Sequence, residues 1–145
     1  MSIMDHKLRN RTEMFLTRLM ELAEVLPRGM EGQAVGIELR SAGSAFESAC
    51  RAALASRTPE EYQRRIGSLR NAAAECVRWM QLINNARLVQ SPRLDELLME
   101  GSGLLTALEV QRKPRASDAV RRRVEPARPA RSSRPARPAR AGVAA

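Results

Sequence analysis

Residues 44–83, SAFESACRAALASRTPEEYQRRIGSLRNAAAECVRWMQLI, decide the fold. Phe46, Ala49 and Ala53 precede Thr58-Pro59-Glu60-Glu61; Tyr62, Ile66, Leu69, Ala73, Cys76, Met80 and Ile83 follow it, at mixed spacings of three and four. That period is helical. The four residues between the two runs are a helix start: the Thr58 hydroxyl can accept from first-turn N–H groups, Pro59 loses no needed donor at the first helical position, and Glu61 can reach back to the cap. The stretch predicts two long antiparallel helices joined near Arg57, the second starting at Pro59.

The same reading extends outward. Towards the N-terminus, Leu8, Thr12, Phe15, Leu19, Leu22 and Leu26 predict a helix from a cap at Asp5 to Leu26, with Leu16, Met20 and Ala23 widening its apolar stripe and Pro27 and Gly29 stopping it. The second helix, about Glu31 to Ala55, adds Val35, Leu39 and Ala42 to the seam, which becomes a heptad repeat. Gly36, Ser41, Gly43, Ser44, Ala45 and Ser48 crowd its other faces; close approach of a second backbone or drift in a tolerant bundle would account for them. Beyond the central stretch, Ser91-Pro92 opens a fourth helix to Gln111, with Leu94, Leu98, Gly101, Leu105 and Leu108 expected on its seam and Leu97 and Leu104 beside it. Gly101-Ser102-Gly103 weakens its middle, so packing must hold that turn helical or it kinks. The expectation is all-α: an up-and-down antiparallel four-helix bundle over residues 1–112, then a disordered basic tail over 113–145.

Composition agrees with that class. The chain has 145 residues, 43% of them hydrophobic, with Phe15, Phe46, Tyr62 and Trp79 its only aromatics, which suits one helical domain better than a sheet. The formal charge of +9 is segregated: residues 1–111 carry 14 basic and 14 acidic side chains, whereas residues 112–145 carry 11 basic side chains against Asp118 and Glu125. The low-complexity run ARPARSSRPARPARAGVAA within that segment has no hydrophobic period from which to build a core. No apolar run approaches ~18 residues and no hydrophobic leader follows Met1, so no membrane span is expected and the cytoplasm is the expected location. Cys50 and Cys76 should lie roughly 16 Å apart along the axis at about 1.5 Å per residue, too far for a disulfide.

Enzyme signatures are sparse. His6 is the only histidine, so a His-rich metal site or a Ser-His or Cys-His pair of the usual kind is not expected; no catalytic residue, metal or cofactor is assigned. Glu47 with Arg51, Glu60 with Arg64 and Glu61 with Arg65 have the spacing of helical ion pairs. Arg40 and Glu75 should fall level across the second and third helices, either as a structural ion pair or as two solvated charges. Arg64, Arg65, Arg70, Arg78 and Arg87 give the third helix a basic face unless Asp95, Glu96, Glu100 and Glu109 of the fourth neutralise it. The candidate phosphate-binding set is therefore Arg51, Arg64, Arg65, Arg70 and Arg78 with Arg112, Lys113, Arg115, Arg121, Arg122 and Arg123. Such contacts would be salt-dependent and sequence-independent, on RNA or DNA, and an aromatic-free tail offers bases nothing to stack on. A purely solubilising tail is the alternative.

The central stretch also resembles the 23S ribosomal-RNA intervening-sequence family. The matching residues are Ala49, Arg51 and Ala52, Ser56, Tyr62 with Arg65, Glu75, Trp79 and Leu82-Ile83, then Leu97, Leu98 and Glu100. Polar positions of the family are replaced here by Ala45, Ser48, Ala72 and Gly103, so roles for those groups do not carry over. That family is similar in fold to the accessory variability protein of diversity-generating retroelements. The resemblance implies a non-enzymatic homo-oligomer, typically a pentamer, with nucleic acid and a reverse transcriptase as partners. A structural or protein-interaction oligomer without a nucleic-acid role is the alternative expectation.

Overall fold

Four helices account for most of residues 3–112, the part of the chain that the computed structural model describes: α1 His6–Glu24, α2 Met30–Leu54, α3 Pro59–Asn85 and α4 Pro92–Arg112. The tail expected over 113–145, with Lys113, Arg115, Arg121, Arg122 and Arg123, lies outside the described residues.

Local chemistry sets the helix ends. Asp5 caps α1 by accepting from the Lys7 N–H at 3.4 Å. The Thr58 hydroxyl accepts from the Glu61 N–H at 3.1 Å, while the Glu61 carboxylate accepts from the Arg57 N–H at 2.8 Å, one residue earlier than the cap itself. Ser91 accepts from the Arg93 N–H at 3.1 Å and opens α4. At the end of α3, Arg87 takes a left-handed conformation (φ 56°), its N–H donating to the Asn84 carbonyl at 3.1 Å and that of Leu88 to the Ile83 carbonyl at 3.0 Å. This is the bond pattern of a Schellman cap with arginine where glycine is usual.

Each helix packs against its neighbours in sequence, and α4 closes the ring on α1. The antiparallel order brings opposite ends together: the Arg65 guanidinium, early in α3, donates to the Ala52 carbonyl, late in α2, at 3.0 Å, and the Tyr62 hydroxyl donates to the Gln111 side chain, late in α4, at 2.9 Å. Phe15 and Phe46 meet edge to face at the centre, ring centroids 5.5 Å apart, among buried Leu19, Leu39, Leu69 and Met80.

Packing settles two features that the sequence leaves open. α4 stays helical through Gly101-Ser102-Gly103, because Gly101 is buried where a Cβ would stand 2.8 Å from Val77 Cγ2 and 3.2 Å from Phe15 Cε1. Its buried seam runs Leu94, Leu97, Gly101, Leu104 and Leu108; the expected seam residues Leu98 and Leu105 are only half-buried. With leucines on several sides of the helix, the close fit at Gly101 fixes the rotation. In α2 the small residues divide into two sets. Gly36 and Gly43 are buried under α1-side side chains, Leu26 over the first and Leu19 with Met20 over the second, whereas Ser41, Ser44, Ala45 and Ser48 are exposed. Cys50 and Cys76 are free thiols.

Candidate nucleic-acid interface

The six candidate arginines within the described residues differ in what holds them. Arg51 pairs with Glu47 at 3.0 Å, Arg65 with Glu61 at 3.3 Å, and Arg78 with Glu75. Arg112 lies 4.0 Å from Glu109, which also takes Arg70 across the α3–α4 interface at 2.7 Å. The Arg70 Nε–H is not aligned with that oxygen, so this contact is a charge pair without a well-formed hydrogen bond. Arg64 alone of the six has no partner, since Glu60 does not reach it among the described residues. The basic face expected on α3 is thus largely neutralised, in part by α4 as its acidic residues suggested. Arg87 leaves that face altogether, because it sits beyond the helix end in its left-handed turn.

The Arg40–Glu75 pair does not form. Arg40 turns towards α1 and donates to the Ala23 carbonyl at 3.3 Å, while Glu75 accepts from the Trp79 indole at 3.2 Å and from Arg78. Turn position sets the height of a residue on a bundle, but the direction of its side chain decides its partner.

Several cations outside the sequence-derived set are exposed and paired with no carboxylate among the described residues: Lys7, Arg11, Arg28, Arg57, Arg87 and Arg93. No local signal separates them from the paired ones. Arg18 is the converse case: it pairs with Glu100 across α1 and α4, and this hydrogen bond, aided by the same carboxylate's charge, raises its pKa. An open cleft of about 850 Å³ adjoins that pair, floored by Leu22, Leu94 and Leu97 and edged by Glu21 and Glu96.

Neither thiol is poised for chemistry at neutral pH. Burial pushes Cys50 up to about 11 and Cys76 up to about 12, so both stay protonated and weakly nucleophilic. Among the described residues no group of three or more His, Cys, Asp or Glu side chains could hold a metal ion. No helix there is long and apolar enough to cross a membrane. The chain matches no family model, no curated protein and no solved structure.

Proposed function

We propose that this protein is a non-enzymatic, homo-oligomeric helical-bundle accessory factor that binds RNA or DNA through the phosphate backbone. The observation that carries this reading is the segregation of charge: residues 112–145 hold 11 basic side chains against two acidic ones, while the bundle's candidate arginines are mostly occupied by carboxylates. A stretch of sequence in which cations so far outnumber carboxylates favours release of counterions from a polyanion. The resemblance to the intervening-sequence family supports extending the proposal to a pentamer acting beside a reverse transcriptase. Its matching residues cluster in the α2–α3 hairpin, where Arg65 bonds Ala52 and Trp79 bonds Glu75.

A second reading, a protein-interaction oligomer with no nucleic-acid role, is favoured by the outer face of α2. Met30, Ala34, Ile37, Ser41, Ser44 and Ser48 recur there at heptad spacing, all exposed and uncharged, with Met30 at 90% and Ile37 at 65% exposure.

Fluorescence-anisotropy titration of RNA and DNA oligonucleotides separates the two, using the full chain and residues 1–112 across about 50 to 200 mM salt. The full chain is expected to bind both, with log K falling linearly against log salt at roughly −0.9 per phosphate contacted on duplex DNA. Truncation should remove most of that slope. Absence of binding by the full chain at the lowest salt would overturn the proposal in favour of the second reading, and light scattering of the same sample reads the oligomer.

A further inference from the structure

The antiparallel topology sorts the bundle's charges by height. One end is formed by the first half of α1, the second half of α2, the α2–α3 turn, the first half of α3 and the second half of α4. Taken as residues 3–15, 44–71 and 104–112, that end carries nine Lys or Arg against six Asp or Glu, a net of +3. The opposite end, residues 16–43 and 72–103, carries six against eight, a net of −2. A bundle that is almost neutral as a whole is therefore polar along its axis.

Pairing sharpens the contrast. At the first end Lys7, Arg11, Arg57 and Arg64 are exposed with no carboxylate partner among the described residues, and the carboxylates there are mostly engaged: Glu13 by Arg9, Glu47 by Arg51, Glu61 by Arg65 and Glu109 by Arg70. At the opposite end the excess is reversed, because Glu21, Glu24, Glu31, Glu38, Asp95 and Glu96 are the side chains left without an ion-pair partner among the described residues, against Arg28, Arg40, Arg87 and Arg93, of which Arg40 is held by the Ala23 carbonyl. A polyanion near the molecule is attracted to the first end and repelled from the second. Contact there breaks no existing ion pair.

We infer that the α2–α3 turn end of the bundle is a nucleic-acid-contacting face in its own right, with Lys7, Arg11, Arg57 and Arg64 touching phosphates. The inference rests on the nucleic-acid reading above and adds to it a site within the folded bundle and an orientation. α4 ends at this same end with Arg112, the residue at which the strongly basic stretch of sequence begins. The acidic end faces away from the nucleic acid.

Two charge-matched triple variants of the full chain test this in the same titration. Lys7→Gln/Arg57→Gln/Arg64→Gln removes three cations from the contacting end, and Arg28→Gln/Arg87→Gln/Arg93→Gln removes three from the other. The first is expected to reduce the salt slope by about 2 to 3 and to weaken binding at low salt by at least roughly tenfold, whereas the second leaves the slope unchanged. Arg64→Gln alone should cost a slope of about 1. Equal losses in both triples would show that only net charge matters, and no loss in the first triple while the wild-type chain binds would place all contacts elsewhere; either result overturns the inference but leaves the nucleic-acid reading standing. A wild-type chain that fails to bind overturns both.

Discussion

Gly101 and Gly103 stand two residues apart in α4, in opposite surroundings. A methyl group at Gly101 would press on Val77 Cγ2 at 2.8 Å and on the Phe15 ring at 3.2 Å. Val77 is β-branched and Phe15 is fully packed, so neither can easily turn aside. A methyl at Gly103 would meet only the end of the Arg11 side chain at 3.0 Å, which is free to move. Both replacements by alanine gain up to about 1 kcal/mol of helix propensity. At Gly101 overpacking, typically ~1–3 kcal/mol, outweighs that gain. Urea unfolding should therefore show Gly103→Ala more stable than wild type by roughly 0.5–1 kcal/mol and Gly101→Ala less stable by about 1–2 kcal/mol. Equal shifts in the two variants would mean that the contact at Gly101 relaxes freely.

Much of each helix is legible in sequence, because caps and periodicity are local. Thr58-Pro59-Glu60-Glu61 opens α3 where expected, and the seam from Tyr62 to Ile83 is buried throughout. The seam of α4 is not legible in the same way: leucines at 94, 97, 98, 104, 105 and 108 leave the helix without a single apolar face, and only contact with Val77 and Phe15 chooses one. Cross-helix pairs are hidden for a related reason. Arg18 finds Glu100 at a separation of 82 residues, and nothing local in the sequence says which way two long side chains turn. The segregation of charge along the chain is legible by counting; the division into free and paired cations is not, and Lys7, Arg11 and Arg57 emerge only once the helices are in place. At this scale α3 offers a prediction from its two ends. Thr58→Ala removes the hydroxyl that satisfies the Glu61 N–H and should cost about 1 kcal/mol. Arg87→Gly relieves a left-handed residue and should gain roughly 0.5–1 kcal/mol. Opposite shifts in the thermal midpoints of the two variants check both; a destabilised Arg87→Gly would show that the arginine side chain contributes more than its backbone strain costs.

For the bundle as a whole, the two cysteine thiols and the Tyr62 hydroxyl favour the neutral form in the fold. Burial raises the pKa of Cys50 from 9.0 to about 11, that of Cys76 from 9.0 to about 12, and that of Tyr62 above 10.0. Below pH 9 these groups are protonated in both the folded and the unfolded chain and leave stability unchanged. Above it the unfolded chain releases protons that the folded one retains, so ionisation favours unfolding and stability falls as the pH rises towards 11 and 12. Overall charge pulls the other way. The protein carries +9 at pH 7, with a sequence pI of about 11.2, so raising the pH brings it towards neutrality and lessens self-repulsion. A general charge effect therefore predicts greater stability in alkali, and the buried thiols predict less. Because Phe15, Phe46, Cys76 and their neighbours share one core, the losses should appear together in a single unfolding transition. The urea midpoint is expected to hold from pH 7 to about 8.5 and to decline between pH 9 and 11, with Cys76→Ala declining less steeply than wild type. A midpoint that rises over the same interval would mean that relief of charge repulsion exceeds the reluctance of the buried thiols to ionise.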